Sequence, residues 1–318
     1  MSKRPTMVKR AKDYLAYRRK LGFKLQDAEE LLLKFARYAD RSGHRGTLTT
    51  QLAVRWAQLP RKASHSYLAR RLEVVRGFAR HCTIFDPATE IPPDNIFGPA
   101  HRRITPYIYT ASEVSALLAA ASNLPPRNGL RPHTYATLFG LLACTGLRLE
   151  EALRLERLDV DWKQGLLTVR ETKFGKSRLV PVHPTALQAL HDYARLRDRF
   201  HPVARTDAFF VTIHGTRFCA VTVRSTFGHL RAQLQWSGNS GRLLPRIHDL
   251  RHTFACRRLL QWYEQGTAID QAIAALSTYL GHVGVNHTYW YLTGIPELLQ
   301  SAGSRFEHFR EPIQGDHT

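Results

Sequence analysis

Residues 145–151 read Thr-Gly-Leu-Arg-Leu-Glu-Glu and follow a long apolar segment, residues 133–144, that is predicted to be a helix. Gly146 forms a turn in which the backbone can approach a ligand closely, because glycine has no side chain to obstruct it. Arg148 comes directly after this turn, at the start of the next helix. The stretch therefore predicts a guanidinium group beside a junction of two helices.

A β-hairpin is predicted after this junction. Residues 166–170 and 177–182 are rich in Leu and Val, and they flank a turn-like segment, Thr-Lys-Phe-Gly-Lys, at residues 172–176. This turn carries Lys173 at its tip. A lysine at the tip of a mobile β element is a second candidate cation for a shared site.

Two further motifs lie downstream of the hairpin. Residues 248–252 read His-Asp-Leu-Arg-His, and a spacing of three brings His248 and Arg251 to one face of a helix. Leu-Gly-His at residues 280–282 is followed nine residues later by Tyr291. Each motif alone is common in proteins, so only the combination of all four indicates a function.

In this order, the motifs closely resemble the catalytic domain of the tyrosine recombinases, the phage integrase family. The resemblance spans residues 110–296. It implies a catalytic set of two arginines, a hairpin lysine, two histidines and a tyrosine nucleophile, with a carboxylate that orients the first arginine. The positions that match, in that order, are Arg148, Arg251, Lys173, His248, His282, Tyr291 and Glu151.

The sequence departs from the family pattern in two places. Phe174 stands at the hairpin tip where the family commonly has Gly, so Lys176 remains an alternative to Lys173 as the hairpin lysine. The stretch that follows Arg251 is longer than usual, and residues 263–269 are the expected insertion. The insertion affects the expected loop geometry, whereas the implied reaction is unchanged.

Three tyrosines are close enough to the last motif to be considered as the nucleophile. Tyr291 is preferred to Tyr289 and Tyr279 because its separation of nine residues from His282 matches the family's spacing. The resemblance implies that this tyrosine attacks a DNA phosphodiester and leaves a 3′-phosphotyrosyl enzyme with a free 5′ hydroxyl. The hairpin lysine would protonate the departing 5′ oxygen, so neither a metal ion, ATP nor another cofactor is expected.

The net charge of the chain also indicates that its partner is DNA. Its 318 residues include 46 Lys and Arg against 26 Asp and Glu, a formal net charge of +20. Basic side chains that neutralise phosphates release counterions, so double-stranded DNA is the expected partner. No apolar run is long enough to span a membrane and no secretory signal is recognisable, so a cytoplasmic, nucleoid-associated location is expected.

Two domains are predicted, and the fold class is mainly α. Residues 1–98 are expected to form a helical core-binding bundle of the SAM-like kind, and residues 110–302 a mixed α+β catalytic domain with a small antiparallel hairpin or sheet. Residues 99–109, in a proline-rich stretch, are the predicted linker, and residues 303–318 the tail. Basic positions of the bundle predicted to be exposed and to contact DNA are Arg61, Lys62, Arg70, Arg71 and Arg76.

These features together predict a site-specific DNA recombinase, an integrase or transposase of a mobile element. Members of the family act as tetramers that bring two duplexes together, so a homo-oligomer on DNA is expected, with accessory recombinases or DNA-bending proteins as further partners. Two alternatives remain open: a catalytically silent DNA-binding accessory protein, and an enzyme similar to a type IB topoisomerase, which reseals a single duplex.

Overall fold

The computed structural model describes residues 5–100, 106–170, 177–236, 244–281, 284 and 288–289. The chain divides into two compact units, Met1–Ile104 and Thr105–Thr318. No helix within the described ranges is both long enough and apolar enough to cross a membrane.

The first unit is a bundle of helices whose starts are set by side-chain caps. Its helices are α1 (Met7–Lys20), α2 (Gln26–Arg41), α3 (Thr50–Ala57) and α4 (His65–Cys82). Thr6, Thr49 and Ser64 each accept a backbone hydrogen bond at the start of a helix, which satisfies a donor that the helix itself cannot pair. The core includes Phe35 and Trp56, whose rings meet edge to face at 5.4 Å.

The second unit packs helices around a small sheet. The helices are α5 (Ala111–Ser122), α6 (Leu130–Thr145), α7 (Leu149–Arg154), a 3-10 turn (Arg157–Asp159), α8 (Pro184–Phe200), α9 (Ala220–Gln233), α10 (Ile247–Glu264) and α11 (Ile269–Leu280). The strands are β1 (Val160–Asp161), β2 (Leu166–Val169) and β3 (Arg178–Pro181), joined antiparallel in that order.

The predicted fold class, mainly α with a small antiparallel sheet, is confirmed. The predicted hairpin corresponds to β2 and β3, in which Leu167 pairs with Val180 and both side chains are buried. Strand β1 was not predicted, because two residues are too few to show the alternation of apolar and polar positions that marks a strand. Helix α6 contacts α5, α8 and α10, so it forms the centre of the unit and holds the junction at Gly146 in place.

The predicted exposure of Arg71 is wrong. Only 6% of Arg71 is accessible: its guanidinium carbon lies 3.8 Å from the centre of the Trp56 ring, and it donates to the Trp56 carbonyl at 2.7 Å. An arginine stem covers apolar surface readily, and the planar head stacks on an aromatic face. Helical spacing cannot reveal this, because Trp56 lies on a different helix.

Arg76 is also mostly covered, with 11% of its side chain exposed. It donates to the carbonyls of Pro92 and Pro93 at 2.8 and 2.7 Å and pairs with Asp94 at 2.9 Å. Arg76 therefore holds the proline-rich segment, which contains Pro92 and Pro93, against α4 within the first unit. Arg61 and Lys62 are exposed as predicted, and Arg70 is half-buried beside Glu73.

Part of the predicted linker belongs to the second unit. Tyr109 is 1% exposed, its backbone N–H donates to the Thr253 hydroxyl oxygen at 2.9 Å, and its own hydroxyl donates to the Arg246 carbonyl at 3.0 Å. Burial and the nearby Asp249 carboxylate raise the pKa of this phenol well above its ordinary value. The segment before α5 is thus anchored to α10; residues 101–105 lie outside the described ranges.

Candidate active site

The junction between α6 and α7 positions the first arginine. Gly146 ends α6 with φ +64°, and a Cβ atom there would lie 2.5 Å from Cδ1 of Phe254, so the position requires glycine. Arg148 caps α7: its backbone N–H donates to Oε2 of Glu151 at 3.1 Å, and its guanidinium donates to Oε1 at 2.6 Å. Glu151 thus contacts Arg148 through both of its carboxylate oxygens.

Glu151 is buried between two arginines. Arg178 of β3 also donates to the Glu151 carboxylate, with one terminal guanidinium nitrogen at 2.8 Å and the other at 3.3 Å. Burial disfavours the charged carboxylate, but the hydrogen bonds and charge of Arg178, followed by those of Arg148, outweigh it and lower the pKa of Glu151 to about 2. The carboxylate is therefore ionised throughout the neutral range.

Arg251 lies in the interior, with 2% of the residue exposed. It donates to the Gly146 carbonyl at 2.8 Å and to the Leu280 carbonyl at 2.7 Å, which joins α10 to the ends of α6 and α11. A guanidinium holds its five N–H donors in a rigid plane, so these two bonds fix the orientation of the whole group.

The two arginines converge on the end of α11. Arg148 donates to the Gly281 carbonyl at 3.5 Å, next to the Leu280 carbonyl that accepts from Arg251. The last carbonyls of a helix lack intrahelical partners and carry the negative end of the helix dipole, so they attract cations. The structure thereby brings together two arginines that are 103 positions apart in the sequence.

His248 belongs to the same cluster. It lies one turn before Arg251 on α10, and its ring stands edge to face with His252 at 4.7 Å. The protein atoms packed around the ring and then the charge of Arg251 lower the pKa of His248 below its ordinary value. Although the ring keeps contact with solvent, its neutral form is favoured at pH 7, and a neutral imidazole can accept a proton.

Three predicted site residues, Lys173, His282 and Tyr291, lie outside the described residues, as does Lys176. The other two candidate tyrosines are described. Tyr279 stacks on Phe254 at 5.5 Å, and burial raises its pKa to about 12. The Tyr289 hydroxyl donates to the Asp270 carboxylate at 3.2 Å, and that hydrogen bond, with the negative charge, raises its pKa.

Comparison with known proteins decides the family. Residues 108–294 match the model of the Phage integrase family. The chain belongs to this family. The tyrosine recombinases are site-specific recombinases, and this chain is one of them.

One relative covers nearly the whole recombinase, and another covers about three quarters of it. The protein y4rB of Sinorhizobium fredii, named as an integrase/recombinase, is 42% identical over 309 residues, which are 95% of this chain and 97% of that one. The tyrosine recombinase XerC of Chlamydia trachomatis is 31% identical over 234 residues, 74% of this chain and 69% of its own.

Solved structures share the fold at low sequence identity. The Tn1549 transposon integrase in complex with circular intermediate DNA has a TM-score of 0.69 at 17% identity and covers 96% of this chain and 100% of its own. A lambda integrase tetramer bound to a Holliday junction has a TM-score of 0.61 at 17% identity, and the match covers 87% of this chain and 76% of that one.

Arg178 is the residue of this cluster that the sequence did not reveal. It begins β3, directly after the hairpin turn, and its contacts are with Glu151 and with the carbonyl of Tyr279, 101 positions away. A basic residue at the start of a strand is ordinarily a surface residue, and no local pattern distinguishes this one. No group of three or more possible metal ligands occurs among the residues described in the recombinase.

Replacing Gly281 with Ala is expected to destabilise the recombinase more than replacing Gly266 with Ala. Both glycines have positive φ, +65° and +78°, a conformation that costs about 1–2 kcal/mol for other residues. A Cβ atom at Gly281 would also lie 2.8 Å from a nitrogen of Arg178, whereas no atom lies within 4 Å at Gly266. We expect losses of about 2–3 and about 1 kcal/mol in urea unfolding. Equal losses would show that Arg178 moves aside freely.

Proposed function

We propose that this recombinase cleaves and rejoins DNA strands through a covalent 3′-phosphotyrosyl intermediate formed by Tyr291. The observation that carries the proposal is the convergence of Arg148 and Arg251 at the end of α11. In the sequence, His282 and Tyr291 follow Gly281, the last of the carbonyls that accept from these arginines, by one and ten residues. The cluster can therefore surround one phosphate with several permanent cations and a nucleophile.

Arginine suits the charge that develops during the reaction. Attack on a phosphodiester gives a phosphorane with additional negative charge, and preorganised donors aimed at its oxygens stabilise it. Arg148 and Arg251 remain charged at any working pH and can hold non-bridging oxygens through two parallel hydrogen bonds. His282 would add a third donor.

The tyrosine must lose its proton near neutral pH. A phenol with an ordinary pKa of about 10 requires roughly 4 kcal/mol for ionisation at pH 7, unless cations or a base assist. The pKa values of Tyr279 and Tyr289 are raised by their surroundings, which is the opposite of what a nucleophile needs. This supports the choice of Tyr291, which follows His282 by the family's spacing of nine residues.

Proton transfer is assigned to the remaining groups. The lowered pKa of His248 supports a role as general base or proton reservoir for the tyrosine. Lys173, with Lys176 as the alternative, would protonate the departing 5′ oxygen. The free 5′ hydroxyl then attacks the equivalent bond of a partner strand, and the phosphotyrosyl link conserves the bond energy, so ATP is not needed.

We infer that double-stranded DNA is the substrate and that a homotetramer on DNA performs the exchange. The net charge of +20 supports a polyanionic partner, and two proteins of the same fold are solved with circular intermediate DNA and, as a tetramer, with a Holliday junction. A role in the movement of a mobile element, at the nucleoid and with accessory proteins, is the corresponding biological setting.

In the first unit, we propose that Arg61 and Lys62 contact the DNA backbone. Both are exposed, whereas Arg71 is buried against Trp56 and Arg76 is engaged by Pro92 and Pro93. Arg70, which pairs with Glu73, remains a further candidate. Residues 1–98 would bind DNA and residues 110–302 would carry out catalysis, with the segment at residues 106–109 packed on the catalytic unit.

Arg61→Ala should reduce the salt dependence of DNA binding, and Arg71→Ala should not. Each phosphate contact adds about 0.9 to the slope of log affinity against log salt, so the slope should fall by about 0.9 in the first variant. Arg71→Ala should instead lower the free energy of unfolding by about 1–3 kcal/mol, because the Trp56 carbonyl loses its buried donor. Fluorescence anisotropy over a salt series, with urea unfolding, measures both. An unchanged slope for Arg61→Ala would remove it from the interface.

The direct test is capture of the intermediate. Wild-type protein is incubated with nicked duplexes made from the ends of the element that encodes it, so that cleavage releases a short strand and traps the enzyme on DNA. We expect an adduct that survives denaturation, and peptide mapping that finds phosphate on Tyr291. No adduct on any end sequence would favour the silent accessory protein, and relaxation of supercoils by a monomer would favour the topoisomerase alternative.

A further inference from the structure

Three consecutive carbonyls at the end of α11 accept hydrogen bonds from three different arginines. Tyr279 accepts from Nε of Arg178 at 2.8 Å, and the next two carbonyls, of Leu280 and Gly281, accept from Arg251 and Arg148. Two of these arginines are already assigned to the phosphate. The third comes from β3 and has no assigned role.

Burial and hydrogen bonds hold the Arg178 side chain in this position. Only 12% of its side chain is exposed, and its three nitrogens all have partners: Nε on the Tyr279 carbonyl and both terminal nitrogens on Glu151. Glycine at position 281 leaves room for it, since a Cβ atom there would lie 2.8 Å from one guanidinium nitrogen. The contacts link strand β3, helix α7 and the end of α11.

Arg178 also changes the electrostatics of Arg148. Glu151 carries one negative charge and is shared by two guanidinium groups, so the group of three has a net charge of +1. Without Arg178, Glu151 would pair with Arg148 alone and neutralise it. Neutralising Arg148 would weaken the positive potential at a bound phosphate. The change is larger where the site is partly shielded from water.

Resting on the proposed function, we propose that Arg178 is a positioning residue for DNA cleavage: it fixes the end of α11 and shares Glu151, so that Arg148 keeps its charge for the phosphate. It acts through these groups and does not contact DNA. Its removal should therefore slow cleavage at saturating DNA and leave affinity nearly unchanged. A residue that merely stabilises the fold would lower stability without this selective effect.

The experiment uses full-length protein, nicked duplexes from the element's ends and single-turnover conditions. Arg178→Gln should cleave about 10²-fold more slowly, the size of effect expected from misplaced catalytic groups. Dissociation constants, measured by anisotropy, should change by less than about threefold. The control is Arg157→Gln, another arginine of the same unit, which pairs with Asp198 at 2.8 Å and should cleave within about threefold of wild type.

A double variant separates positioning from simple stabilisation. Glu151→Gln removes the charge that would neutralise Arg148, so Arg178→Gln combined with Glu151→Gln should cleave no more slowly than Arg178→Gln alone. Independent structural roles would instead multiply the two losses. Arg178→Lys keeps a cation beside Glu151 and should recover about tenfold of the rate; it also serves if Arg178→Gln does not fold.

The inference is overturned if Arg178→Gln cleaves like Arg157→Gln, if its whole defect is in DNA affinity, or if the two losses multiply in the double variant. Wild-type protein that forms no adduct would overturn the proposed function itself, and the inference with it. An adduct at Tyr291 with any of the first three results would overturn the inference alone.

Discussion

Tyr291→Phe is expected to abolish the covalent adduct with DNA, with a loss of at least about 10³-fold in the rate of strand cleavage. The phenyl ring has no oxygen that could form the bond to phosphorus, while the arginine cluster remains intact. DNA binding should therefore be retained. Denaturing gel electrophoresis of the nicked-duplex reaction measures the adduct, and anisotropy measures the binding.

Tyr289→Phe is the matched control. It removes the same hydroxyl two residues earlier, where the group is exposed and donates to Asp270. The raised pKa of Tyr289 makes it a poor nucleophile, so this variant should still form the adduct. Persistence of the adduct in Tyr291→Phe and its loss in Tyr289→Phe would reverse the assignment.

Arg251→Lys is expected to slow cleavage by about 10²–10³-fold, which is the effect of removing one preorganised donor from a transition state. The substitution keeps the charge, but an ammonium cannot bond to both the Gly146 and Leu280 carbonyls and also present a planar pair of donors to phosphate. We also expect the free energy of unfolding to fall by about 1–3 kcal/mol, because a buried carbonyl loses its donor.

Arg257→Lys tests whether any arginine-to-lysine change on α10 has this effect. Arg257 lies on the same helix and donates to the Tyr109 carbonyl at 2.8 Å, which is not one of the carbonyls at the end of α11. Its cleavage rate should stay within about threefold of wild type. If both variants lose cleavage equally, the defect reflects the packing of α10 and Arg251 has no special place in the site.

Local sequence patterns predicted the helix before Gly146 and the hairpin that follows it. The helix expected at residues 133–144 is part of α6, and the expected hairpin is the pairing of β2 with β3. These features depend on neighbouring residues, since a helix forms from one periodic segment and a hairpin joins adjacent segments. The two-residue β1 was missed because its pairing, not its own sequence, makes it a strand.

The order of the motifs was sufficient to identify the family and to nominate Arg148, His248 and Arg251. Recombinase chemistry requires those side-chain types, and the sequence contains them at recognisable spacings. Tertiary structure alone decided which arginines are buried and which groups they contact. Arg71 is buried on Trp56, and Arg178 reaches the end of α11, although both look like ordinary surface residues in the sequence. A guanidinium binds whichever carbonyl or carboxylate the fold brings within about 3 Å, or stacks on an aromatic ring at van der Waals distance, and those partners belong to other elements of the chain.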